Sequence, residues 1–170
     1  MRIIASSNGA VNMIILTGAN TVIDHRVREW CKLPYPDHPE GCPNYGQRNG
    51  CPPQAPLVEN YFDMDKDHYF VAVRFDLFSH ISKMKEKHPL WSDRQARCCL
   101  YWQSTVNKQL KEECQFYTEQ YGLVYNLCPE AMGVDVIKTC RAAGLPIKVR
   151  PEGTVFKVAM LGYLKEIKEI

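Results

Sequence analysis

The sequence lacks most of the patterns that would assign its chemistry at once. It has no apolar run of about 18 residues, so it predicts no membrane-spanning helix. P-loop, GxGxxG and GxSxG motifs are missing, which removes the usual signatures of nucleotide binding and serine hydrolysis. The five histidines form no HxH or HxxxH pair, and the eight cysteines form no C-x2–4-C pair of the kind found in structural zinc sites.

The overall composition is ordinary for a globular protein. The chain has 170 residues, of which 45% are hydrophobic and 24% charged, and we expect a single domain over 1–170. Its net charge of +2 is lower than that of a typical dedicated nucleic-acid binder. Ser, Asn and Gly interrupt the weakly apolar N-terminal stretch, which therefore does not resemble a signal peptide. We expect a cytoplasmic protein whose thiols stay reduced.

The chemistry is concentrated between residues 31 and 53, CKLPYPDHPEGCPNYGQRNGCPP. This stretch holds Cys31, Cys42 and Cys51 together with six of the eleven prolines, so neither a helix nor a central strand can form there. Thiolates that converge on a metal or an iron–sulfur cluster would explain why such a loop is ordered. The alternative is that these three cysteines are unliganded residues of a surface loop.

The rest of the sequence predicts an α/β protein. Strands are expected at 13–17, 68–76, 123–127 and 154–164, with helices at 55–62, 79–87, 92–121 and 130–143. Ser92 and Gln95 have the spacing of a capping box, and Gly122 is placed to end the long helix. We therefore expect one α/β domain with a mixed or parallel sheet flanked by helices and a Pro/Cys-rich metal-site loop.

A closed metal site needs a fourth ligand, and Cys128 is the best candidate. It follows a predicted strand and precedes a predicted helix, and loops of an α/β sheet converge at such a point. Cys99 is the second candidate. The alternative for Cys128 is that it is a small buried residue without a ligand. The corresponding alternative, apolar residues of helices, applies to Cys98, Cys99, Cys114 and Cys140. Wide cysteine spacing favours iron–sulfur only modestly over zinc.

Two blocks of the sequence resemble a family of predicted metal-binding proteins. The first has the form C…CPxYG…CPP and covers residues 31–53; the second covers 128–147, CPEAMGVDVIKTCRAAGLPI, and includes the EAxGxDV pattern. The resemblance implies that Cys31, Cys42, Cys51 and Cys128 bind one metal centre, which in this family would be an iron–sulfur cluster. Many relatives also carry a ferredoxin-like C-x2-C-x2-C group, which this chain lacks, so only one centre is expected.

Other residues are candidates for supporting roles. Glu130 is a candidate general acid or base, although an acidic residue at a helix start is also explained by capping. Tyr45 and Arg48 could orient a ligand or cover a cluster, and His38 is a minor candidate ligand. A basic and aromatic region could bind nucleic acid or simply be a solvated helix face; it comprises Lys83, Lys85, Lys87, Arg94, Arg97, Lys108, Lys111, Trp91, Tyr101 and Trp102.

The sequence thus leads to one main hypothesis and two rivals. The main hypothesis is a cytoplasmic protein with one [4Fe–4S] cluster. An open iron would make it a non-redox enzyme handling sulfur on a small molecule or nucleobase. If four cysteines ligate, the cluster is structural or transfers electrons to a redox partner. The third hypothesis is a zinc-stapled interaction module without catalysis.

Overall fold

The fold is built on a four-stranded antiparallel sheet. The computed structural model describes residues 13–17, by their backbone and pairing, and residues 19–166. The strands lie in the order β1-β2-β4-β3, and their bounds are Met13–Thr17 (β1), Tyr69–Asp76 (β2), Val124–Asn126 (β3) and Thr154–Gly162 (β4). All three strand pairings are antiparallel. The predicted α/β class in one domain is confirmed.

The predicted mixed or parallel sheet is wrong. Alternation of strands and helices usually accompanies parallel crossovers, but the connections here return each paired strand in the opposite direction. The long connection between β3 and β4 illustrates this, because it contains a helix and yet joins antiparallel neighbours. Helix content between two strands therefore does not fix their relative direction.

Three of the four predicted helices are shorter than the sequence predicts, whereas the helix predicted at 79–87 begins two residues earlier. The α-helices are Val58–Tyr61 (α1), Leu77–Lys87 (α2), Asp93–Ala96 (α3), Gln103–Tyr121 (α4) and Val136–Ala142 (α5), and the 3-10 helices are His25–Lys32, Cys99–Tyr101 and Pro129–Met132. The predicted helix 92–121 is interrupted before α4, where Trp102 Nε1 donates a hydrogen bond to the Arg97 carbonyl at 3.3 Å. The capping box of Ser92 and Gln95 and the left-handed Gly122 at the end of α4 are confirmed.

The sheet separates two hydrophobic cores. Strand residues alternate between the two faces, so neighbouring positions of β2 and β4 contribute to different cores. On one face Phe70, Ala72, Val158 and Met160 pack with residues of α1 and α5. On the other face Val71, Val73, Ala159 and Leu161 pack with Val106, Leu110 and Cys114 of α4. No helix within the described ranges is long and apolar enough to cross a bilayer.

Candidate cysteine-lined site

Five cysteines line one cavity of about 590 Å³. They are Cys31, Cys42, Cys51, Cys99 and Cys128. Cys31 lies in the 3-10 helix His25–Lys32, so the prediction that no helix forms at 31–53 is wrong for its first two residues; Cys42 and Cys51 lie in the loop that follows. Cys99 begins the 3-10 helix before α4, and Cys128 lies two residues after β3. All five are partly buried and free of disulfides. The structure therefore brings together the four cysteines expected to bind metal and adds Cys99, the second candidate for the fourth ligand.

Backbone contacts hold the loop in this position. The Cys42 amide donates to the Cys31 carbonyl at 2.7 Å, so the first two cysteines are tied together. Gly41 makes this approach feasible, because its φ is +107° and a Cβ there would overlap the Cys31 carbonyl oxygen. The Arg28 guanidinium donates to the carbonyls of Pro53 and Ala55, each at 3.0 Å, and anchors the far end of the loop.

Cys128 reaches the cavity because β3 is short. The strand pairs with β4 only from Val124 to Asn126. Asn126 Oδ1 then accepts a hydrogen bond from the Cys128 amide at 2.7 Å and turns the chain away from the sheet. The Ala131 amide donates to the Cys128 carbonyl at 2.9 Å as the next 3-10 helix begins. Convergence of parallel strand ends, the reason given by the sequence, does not apply in this antiparallel sheet.

Burial keeps three of the cavity thiols, those of Cys31, Cys99 and Cys128, protonated near neutral pH because it raises their pKa. It raises the pKa of Cys31 to about 11, with a further rise from Cys42 and Cys51. Burial likewise raises the pKa of Cys99 to about 11 and that of Cys128 to about 12. A metal that bound here would therefore have to displace protons from several thiols.

Lys157 is the functional residue that the sequence reasoning missed. It lies in β4, is partly buried and lines the same cavity as the five thiols. Burial opposes its charged form, but the negative charges that Cys128, Glu130, Cys99 and Cys31 can carry raise its pKa above the usual value. Among the residues described, no ion pair involves Lys157. Its charge is thus available to an anion in the cavity.

Three of the candidate supporting residues line the cavity and one does not. Glu130, Arg48 and His38 contribute to its wall. Glu130 does not begin an α-helix; it belongs to the 3-10 helix Pro129–Met132. Tyr45 instead lines a neighbouring pocket of the loop, and the Lys32 ammonium is 5.5 Å from its ring centroid.

The thiols share a cavity without forming a ready-made site for one ion. Within 13–17 and 19–166, no group of three or more His, Cys, Asp or Glu side chains could hold a metal ion as it stands. A single zinc ion would draw four sulfurs to about 2.3 Å from one point. A four-iron cluster ligates each thiolate at a different iron, so its sulfurs stay further apart around a larger volume. Cysteine thiolates are ligands of both kinds of centre, so the donor set fits either one.

The aromatic residues of the basic region are largely occupied within the protein. Trp102 is buried and stacks on Phe75 at a centroid distance of 4.7 Å. Trp91 stacks on the rings of His88 and Tyr101, at centroid distances of 4.2 and 4.9 Å. Both tryptophans therefore already stack on the protein's own side chains, which makes them less available for base stacking.

Comparison with protein-family models, with curated proteins and with solved structures gives no match for this chain.

Proposed function

We propose that this protein binds one iron–sulfur cluster of the [4Fe–4S] type in the cysteine-lined cavity. The observation that carries the proposal is the convergence of Cys31, Cys42, Cys51 and Cys128 on one cavity that also contains Lys157. Clusters ligated by cysteine thiolates are anionic, so a partly buried ammonium without an ion-pair partner suits them. These four cysteines are also the ones that the sequence resemblance implies as ligands of one metal centre. We place the protein in the cytoplasm, where eight free cysteines would stay reduced.

The number of cysteine ligands decides between two functions that such a cluster could have. If Cys31, Cys42 and Cys51 alone ligate, one iron is open and can act as a Lewis acid on a small molecule. The volume of the cavity, about 590 Å³, and the polar side chains of Gln103, Ser104 and Asn107 in its lining favour this enzymatic function. The proposed reaction class is sulfur chemistry on a small molecule or nucleobase. If Cys128 or Cys99 completes the site, the cluster is closed and serves structure or electron transfer to a redox partner.

Cluster binding is tested by anaerobic purification followed by iron, sulfide and zinc analysis of the same sample. We expect about four iron and four sulfide per chain, with the absorbance of a brown protein. Alanine replacement of Cys31, Cys42 or Cys51 should abolish iron binding. Cys140→Ala is the matched control, because Cys140 is buried in the core next to α1 and α5. This replacement should affect stability but not iron content. A colourless protein with about one zinc per chain would contradict the cluster and indicate a structural zinc site instead.

Cys128→Ala and Cys99→Ala then separate an open from a closed site. A cluster that survives both single replacements and the double replacement has only three cysteine ligands, as the enzymatic function requires. Complete loss of the cluster in Cys128→Ala, with Cys99→Ala unaffected, would identify Cys128 as the fourth ligand and contradict the open-iron enzyme.

A further inference from the structure

The wall of the cavity opposite the cysteine loop is polar. It is formed by Gln103, Ser104 and Asn107 in the first turns of α4. Val106, Leu110 and Cys114 form the buried face of the same helix and pack on the sheet. Gln103 and Asn107 lie half-buried beside that face, and Ser104 is exposed. Half-buried amide side chains on a cavity wall can donate and accept hydrogen bonds with an occupant.

Two acceptor atoms on the cavity wall have no hydrogen-bond donor. They are Asn107 Oδ1 and Glu130 Oε2, and both are shielded from solvent in the described structure. Buried acceptors are nearly always paired, because removing them from water without a partner is costly. The second oxygen of a carboxylate and the oxygen of an amide both need a donor such as N–H. A ligand that occupies this part of the cavity should therefore present N–H groups.

Other residues on the wall indicate the remaining features of that ligand. Lys157 and Arg48 are cationic donors that could pair with carbonyl oxygens. Trp30 and Tyr35 contribute aromatic rings to the same cavity, and such rings favour a planar occupant. We propose that the cavity binds a small planar cyclic amide, with its N–H groups directed to Asn107 and Glu130 and its carbonyl oxygens to the cationic residues. This assignment rests on the proposed function, since it identifies the substrate class held beside the cluster.

The proposal is tested with uracil as the probe and its N,N-dimethyl derivative as the matched compound. Both are planar and carry the same carbonyl groups, but only uracil can donate N–H bonds. Isothermal titration of the anaerobically purified protein should show uracil binding and little or no binding of the dimethyl compound. Asn107→Leu should weaken uracil binding by about tenfold, as expected for loss of one buried hydrogen bond. Gln120→Leu, which changes an exposed amide of the same helix, should leave it unchanged.

Three results would overturn the cyclic-amide assignment. These are no uracil binding at millimolar concentration, equal binding of the two compounds, and unchanged uracil binding in a folded Asn107→Leu protein. Iron and sulfide are measured on the same samples, so the two proposals fail separately. Protein that holds the cluster but binds no uracil contradicts only the ligand assignment, whereas metal-free protein that binds uracil selectively contradicts only the cluster.

Discussion

At the scale of single residues, Lys157 determines what the cavity can hold. A partly buried ammonium near Cys31, Cys99 and Cys128 favours a negatively charged occupant. The sequence contained a signal for this residue, because Lys157 has the same strand parity as Val155 and Ala159, which contribute to the α4-side core. Alternation along β4 could therefore have placed this lysine on an inward face. The cavity residues around Lys157, however, come from distant segments of the chain, so no local sequence pattern could predict them.

Replacement of Lys157 by methionine should separate metal binding from folding. We expect the Lys157→Met protein to hold much less iron and sulfide than the unaltered protein, because the cavity loses a partly buried cation. The free energy of unfolding of the metal-free form should change by no more than about 1 kcal/mol, since methionine keeps most of the apolar stem of the lysine. Metal analysis and chemical denaturation measure the two effects. Lys148→Met, at an exposed position, is the control, and equal iron content in both variants would contradict the role of Lys157.

At the scale of elements, the sequence predicted which helices and strands exist better than it predicted strand direction or helix length. The alternating apolar residues of β2 and the caps of α3 and α4 are local signals, and both were predicted. The direction of strand pairing depends on tertiary packing, so the sheet was assigned incorrectly. The long helix was predicted as continuous because Cys98 to Trp102 are compatible with a helix. The hydrogen bond from Trp102 to Arg97 and the cavity position of Cys99 favour the interruption instead.

Helix α2 carries a histidine that should make stability depend on pH. Burial lowers the pKa of His80 below its ordinary value of 6.5, although a hydrogen bond to the Ala96 backbone partly opposes this. Protonation therefore favours the unfolded chain, in which the pKa is not lowered. Stability should be retained above about pH 6.5 and decrease as the pH falls through and below that value. Denaturant unfolding at pH 7 and pH 5 should show a smaller loss for His80→Asn, and equal losses in both proteins would contradict this contribution.

At the scale of the whole molecule, the site lies beside the α4-side core. The two hydrophobic cores lie on the faces of β2 and β4, and the cavity lies where the loop 33–57 meets α4 and the end of β3. Cys99 and Leu127 contribute both to the cavity wall and to the edge of the α4-side core. The loop contains no α-helix or named strand and is held by turn-type hydrogen bonds. The sequence predicted its irregularity from the prolines and its chemistry from the cysteines. It could not predict that α4 supplies the opposite wall, because that contact depends on the path of the whole chain.

This position predicts a local response to removal of the proposed cluster. When a chelator strips the cluster, the loop should open while the sheet stays folded, because most of the apolar packing on the two faces of the sheet lies outside the cavity. Trypsin should then cleave after the exposed Arg48 several-fold faster, whereas cleavage after Lys83 in α2 should keep its rate. Mass spectrometry of timed digests measures both sites in one sample. A faster cut at both positions would show global unfolding, and an unchanged rate at Arg48 would show that the loop does not depend on metal.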